Sequence, residues 1–293
     1  MFIDIHGHAV QEETCPHPLT GKQLISTPEV LIRRYDAVGI ERAVLLPLLN
    51  PENTHIMQSN EEVLRMAGNF PGRFIPFCNL DPRAIYNHWR APLRDVLEYY
   101  RDKGCKGIGE VCANLPILDP RVQNLFAAAE AAGLPLTFHL APYAGNLYGL
   151  IDEAGLPQLE ESLKRFPKLK FFGHSQTFWA EMGANPTLLD RLGYPKGAIA
   201  EDGRIAILMR RYENLYGDIS AGSGWNALNR DRKFAARFLN EFQDRLFFGT
   251  DICAPDTATP LVDLLLEMRK NGEISETVFQ KVARENAIRV LGL

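Results

Sequence analysis

Eight short β-rich runs, each followed by an amphipathic stretch, constrain this chain more than any other feature. The runs are Phe2–His6, Arg42–Leu48, Arg73–Leu80, Cys105–Val111, Leu136–Leu140, Leu169–His174, Leu215–Ser220 and Leu246–Asp251. Between them the apolar spacing predicts helices over Pro28–Val38, Asn60–Asn69, Arg90–Lys103, Pro120–Ala132, Gln158–Phe166, Ile199–Tyr212 and Lys233–Phe242, and two more close the chain near Pro260–Lys270 and Ser275–Leu291. Gly39, Gly104, Gly133 and Pro167 stop helices just before the next strand. Eight such alternations in 293 residues predict an α/β fold, a (β/α)₈ TIM barrel forming one domain over 1–293. A doubly wound open sheet would carry a glycine-rich phosphate turn after its first strand, and that turn reads Gly7-His8-Ala9-Val10 instead. Two connections, 9–27 and 175–197, are longer than the ~2–6 residues of an ordinary βα loop. Both leave the strand ends where a barrel keeps its active site, and both are expected to act as lids.

Composition narrows the partners. Lys and Arg total 32 against 36 for Asp and Glu, which gives no electrostatic reason to expect nucleic acid or an anionic membrane. No apolar run approaches the ~20 residues of a membrane span, and no signal core precedes Phe2, so the expectation is a cytoplasmic protein with a small-molecule substrate. Cys15, Cys78, Cys105, Cys112 and Cys253 are odd in number and contain no C-x-x-C pair. They read as reduced thiols in packing roles.

The polar residues at the strand ends carry the chemistry. Residues two apart on a strand share a face, so His6 and His8, which follow Asp4, present two imidazoles side by side. His139 lies at the close of the fifth run, His174 ends the sixth and Asp251 the eighth, each after an apolar stretch. In a barrel those ends form one rim, where His6, His8, His139, His174 and Asp251 converge as a metal site. His17, His55 and His88 fall in predicted loops and read as solvated surface residues.

The ordered set resembles the amidohydrolase superfamily, with His-x-His on strand one, one His on each of strands five and six, and Asp on strand eight. The closing Glu285-Asn286-Ala287-Ile288-Arg289-Val290-Leu291-Gly292-Leu293 resembles the terminal helix of the amidohydrolase-2 branch, which includes aminocarboxymuconate-semialdehyde decarboxylase and its relatives. The resemblance implies that His6, His8, His139 and Asp251 ligate a metal, while His174 either polarises the substrate or binds a second ion. Glu110, near the end of the fourth run, stands where binuclear members carry a bridging residue, and is read as a ligand or as a carboxylate orienting a histidine. Nitrogen and oxygen donors suit Zn²⁺ first, with Mn²⁺, Fe²⁺ or Co²⁺ as alternatives, in one or two ions. The resemblance also implies a homodimer.

These parts describe a hydrolase, in which metal-bound water loses its proton to Asp251 and His174 supports the developing oxyanion. Two alternatives stand beside it: a non-oxidative decarboxylase or hydratase of a carboxylated substrate, and a non-catalytic metal- or ligand-binding barrel. Gln176 and Trp179, just beyond His174, are the expected substrate contacts. Asn79, Asp81, Asn114, Asp218 and Ser220 are read equally as loop caps or substrate contacts, and Cys253 as a small packing residue. No arginine stands out as an anion clamp.

Overall fold

A computed structural model describes all residues 1–293. The chain runs β1 (Phe2–Gly7), α1 (Pro28–Val38), β2 (Ile40–Leu45), α2 (Asn60–Asn69), β3 (Phe74–Pro76), α3 (Leu93–Asp102), β4 (Ile108–Val111), α4 (Pro120–Ala132) and β5 (Leu136–Ala141). A short extra strand, β6 (Leu150–Ile151), is followed by α5 (Pro157–Arg165), β7 (Phe171–His174), α6 (Gln176–Ala180), α7 (Leu188–Leu192), α8 (Arg204–Arg211) and β8 (Leu215–Asp218). The chain ends with α9 (Ala221–Asn229), α10 (Arg232–Glu241), β9 (Leu246–Phe247), α11 (Pro260–Lys270), α12 (Glu276–Gln280), a π-helical turn at Lys281–Glu285, and α13 (Asn286–Leu291). All eight expected strands are present, and the connection 175–197 carries α6 and α7.

Local chemistry explains the helix ends. Pro28 and Pro120 open α1 and α4, where a missing N–H costs nothing, and the Asp119 side chain accepts from the Arg121 N–H. Gly39 (φ 77°) and Gly133 (φ 71°) close the same two helices in the left-handed conformation.

The strands pair in parallel as β1-β2-β3 and as β4-β5-β7-β8-β9, with β6 on the side of β5. Parallel bridges close both seams: Cys78 to Ile108 between β3 and β4, and Gly7 to Ile252 between β9 and β1. The Asp251 N–H donates to the His6 carbonyl at 2.8 Å and the His8 N–H to that of Ile252 at 3.1 Å, so the ring is complete. β9 is shorter than its apolar run because the Phe248 N–H turns to the Val282 carbonyl at 2.9 Å.

Inward residues Ile3, Ile5, Val44, Leu46, Ile75, Phe77, Phe172, Tyr216 and Phe247 fill the barrel, and Ala287, Val290 and Leu291 plug its lower end. There the Lys106 ammonium reaches the Gly292 carbonyl. Lys106 therefore sits at the opposite end of the barrel from the histidines. A larger core, including Phe126, Phe138, Phe171 and Phe178, lies between strands and helices.

Two register shifts aim the upper rim. On β1, Asp4 pairs with Ala43 and Gly7 with Leu45, three residues facing two. On β4, Ile108 pairs with Leu136 and Val111 with Phe138, again three against two. Simple alternation from Ile5 and Ile108 would turn His6 and Glu110 outward, and each bulge reverses that.

Candidate metal centre

The bulge on β1, the upper ends of β4, β5 and β7, and the segment after β9 bring six predicted residues into one cluster. His6 Nε2 and His8 Nε2 each lie 3.5 Å from Asp251 Oδ1, and His6 Nε2 lies 3.8 Å from Glu110 Oε2. His139 Nδ1 is 2.6 Å from Glu110 Oε1, and His174 Nε2 is 3.7 Å from the same oxygen and 3.8 Å from Asp251 Oδ2. Glu110 thus touches or faces all four imidazoles. His139 and His174 are register partners on neighbouring strands, which sets their rings 5.5 Å apart.

Buried acceptors hold the outer nitrogens. His6 Nδ1 meets Asp218 Oδ2 at 2.5 Å, and His8 Nδ1 donates to the Leu46 carbonyl at 3.0 Å. His174 Nδ1 meets Ser220 Oγ at 3.0 Å and lies 3.4 Å from Asp218. An N–H fixed on the outer nitrogen of His6 and His8 leaves the Nε2 lone pair directed at the centre. Asp4 sets the strand itself, accepting from the His6 and Thr250 N–H groups at 2.9 Å each and from the Thr250 hydroxyl. Asn79 donates to the Glu110 carbonyl at 2.8 Å, and Asn50 accepts from the Cys112 N–H at 2.8 Å, securing the β4 end. Ser175 (φ 110°) and Asp251 (φ 56°) hold positive φ immediately beside the cluster, backbone strain of about 1–3 kcal/mol each.

The electrostatics favour a cation. Burial opposes ionisation of Asp218, but His6 and His174 hold its carboxyl below the usual carboxylate range. Burial opposes ionisation of Glu110 too, and His139 and His6 outweigh it, while His6, His8 and His174 do the same for Asp251. Burial, helped by the neighbouring His174, lowers His139 despite Glu110. Three carboxylates are therefore anionic among imidazoles, two of them buried and Asp251 partly open.

The His6 Nε2 atom is fully buried and has no hydrogen-bond partner. An orphaned buried polar atom costs ~1–3 kcal/mol, and a divalent ion taking the place of a proton on this nitrogen would satisfy it. His6, His8 and Glu110 offer ligand atoms within 4.8 Å of one another, as do His6, His174 and Asp251. The donor set accordingly fits a divalent cation.

Not every expected residue reaches the cluster. Trp179 is 2% exposed; its indole N–H donates to the Asp218 carbonyl at 2.9 Å and its ring packs on Phe178 and Phe238. Instead of walling a substrate, it buttresses β8. Gln176 is partly exposed on the first turn of α6. Asp218, read equally as a cap, proves to be the acceptor for His6. The signal was present, since Asp218 follows an apolar run and shares the inward face with Tyr216. Tyr148, whose ring lies 4.4 Å from that of His139, carried no such signal. A cavity of about 560 Å³, lined by His17, Ile25, Glu52, His55 and Cys253 among others, opens beside the cluster. No helix is long and apolar enough to cross a membrane.

Comparison with known proteins gives the cluster a family. No curated protein matches the sequence. Among solved structures, 5-carboxyvanillate decarboxylase from Sphingomonas paucimobilis is 16% identical, with a TM-score of 0.61 over 100% of this chain and 99% of the other. A dihydroxybenzoic acid decarboxylase from Polaromonas sp. with bound manganese and 2-nitroresorcinol is 17% identical, with a TM-score of 0.60 over 100% and 97%. A probable 2-pyrone-4,6-dicarboxylic acid hydrolase from Acinetobacter baumannii, with citric acid bound, is 12% identical, with a TM-score of 0.60 over 100% and 99%. At these identities the likeness establishes the barrel alone. The family profile described as amidohydrolase (Amidohydro_2) matches residues 3–293, and the chain belongs to this amidohydrolase-2 family of metal-dependent enzymes.

Proposed function

We propose that the protein is a non-oxidative decarboxylase of a small carboxylated, hydroxylated ring, with His6, His8, Glu110, His139 and Asp251 holding a divalent cation. The observation that carries this reading is the unequal exposure of the three carboxylates. Asp251 is 25% exposed, against 7% for Glu110 and none for Asp218, so the charged acid open to a ligand is Asp251. The three structural relatives support the substrate class, since their names describe two decarboxylases of carboxylated phenols and a hydrolase of a dicarboxylated pyrone.

The bound cation would supply positive charge that anchors a substrate oxygen and offsets the charge developing on it. Asp251, ionised at rest, accepts the phenolic proton and delivers it to the ring carbon bearing the carboxylate. The bond to the carboxylate then breaks, its electron pair restores the aromatic ring as a phenolate, and carbon dioxide leaves. Solvent returns a proton to the phenolate. His174, fixed through Ser220, turns Nε2 toward the cluster and hydrogen-bonds the substrate oxygen. His17 and His55 give the adjoining cavity two imidazoles for a carboxylate.

One observation favours hydrolysis as the second reading: no arginine lines the adjoining cavity. Arg83 is committed to Asp81 and Glu52, and Arg34 to the Pro255 and Thr257 carbonyls. A hydrolase needs no cation for a departing carboxylate, and Asp251 would then take the proton of a water. Metal-loaded protein should be assayed for carbon dioxide release from hydroxybenzoates and, in parallel, against lactones and amides. Turnover confined to the lactones or amides overturns the decarboxylase reading.

A further inference from the structure

We propose that Cys253 gives the centre a sulfur donor at its rim, so that a thiophilic ion such as Zn²⁺ or Co²⁺ binds through the thiolate beside His8 and Asp251. The proposal rests on the cation-binding reading above and goes beyond the nitrogen and oxygen set. Cys253 Sγ lies 3.8 Å from Asp251 Oδ1, and the ligand atoms of His8, Asp251 and Cys253 all fall within 4.8 Å of one another. The same Asp251 oxygen lies 3.5 Å from both His8 Nε2 and His6 Nε2, the latter buried and unpartnered. A sulfur at ~2.3 Å and an oxygen at ~2.0 Å from one tetrahedral ion stand about 3.5 Å apart. The hydrogen-bonded spacing of 3.8 Å therefore needs to close by only a few tenths of an ångström for both atoms to sit on a common ion.

The surroundings hold the thiol in place, its hydrogen bond being the one it donates to Asp251 Oδ1, which leaves the sulfur lone pairs free. The Cys253 carbonyl accepts from the Ser26 N–H at 2.7 Å, and its side chain rests on the small cluster of Val10, Ile25, Leu48 and Ile56. One face of the residue remains open to the 560 Å³ cavity. As the sulfur–metal bond forms, the thiol proton passes to solvent. Cys112, close to Glu110 and His139, provides the internal comparison: it is buried, and the Asn53 amide already donates to its sulfur at 3.6 Å.

The experiment loads Co²⁺ into the full-length wild type, Cys253→Ser and Cys112→Ser, and records metal content with the near-ultraviolet spectrum. A sulfur-to-cobalt charge-transfer band is expected in the wild type and in Cys112→Ser. It should vanish in Cys253→Ser while cobalt remains bound. Zn²⁺ affinity should fall ~10-fold or more in Cys253→Ser and Mn²⁺ affinity by less than about threefold, because manganese gains little from sulfur. Bound cobalt without the band, or a band that survives in Cys253→Ser, overturns the proposal and leaves the cation site standing. A wild type that binds no cobalt overturns both.

Discussion

Replacing Asp218 with Asn tests whether the site is built to present His6. The carboxylate and the imidazole are both fully buried and meet at 2.5 Å, with Asp218 Oδ1 also accepting the Ser220 N–H at 3.0 Å. Asn keeps an acceptor for Ser220 and nearly the same volume, so the barrel should survive. What disappears is the negative charge that fixes the His6 tautomer and raises the basicity of its inner nitrogen. Loss of such an outer partner weakens metal binding by ~10–100-fold, or about 1.4–2.7 kcal/mol. Competition against a chromophoric chelator, with Zn²⁺ and with Mn²⁺, measures this directly. An unchanged dissociation constant in a folded variant would refute the role given to Asp218, and with it the reasoning that the outer nitrogen controls the inner one.

Two further outcomes follow from the same geometry. Trp179→Phe leaves the buried Asp218 carbonyl without its donor and should cost ~1–3 kcal/mol in chemical denaturation, with KM unchanged; a raised KM at unchanged stability would return the indole to the substrate cavity. Asp152, buried behind the start of α5, accepts from the Glu153, Gln158 and Leu159 N–H groups, yet burial pushes its carboxyl from 3.8 up to about 7. Because the folded state holds this proton more tightly than the unfolded chain, the contribution is full below about pH 4 and is lost as pH rises through about 7. It is on the order of 4 kcal/mol. Melting temperatures of the wild type and Asp152→Asn between pH 4.5 and 8 should converge or cross as the wild type loses this advantage, and parallel curves would contradict it.

Much of the centre could be read from the chain because apolar runs ending in a polar residue survive as a pattern: His139, His174 and Asp251 all follow one, and all reach the rim. The bulges on β1 and β4 left no such mark. A single extra residue changes neither composition nor apolar content, yet it decides whether His6 and Glu110 face inward. Helix boundaries marked by proline and glycine, as in α1 and α4, were fully legible. The helices inside 175–197 were not, being only five residues each and held by tertiary contacts such as that of Thr177 with the Arg191 carbonyl. Trp179 misled for a related reason: proximity in sequence to His174 placed it near the cluster, while its size and its N–H drew it into the core beneath Asp218.

The proposed chemistry requires a cation among these side chains. Anomalous diffraction from crystals grown with one equivalent of Zn²⁺ tests this most directly. The expected result is a single strong peak ~2.0–2.2 Å from His6 Nε2, His8 Nε2 and an Asp251 oxygen, with Glu110 and His139 closing around it. A peak bound elsewhere on the protein, with His6 Nε2 still unpartnered, would contradict the account.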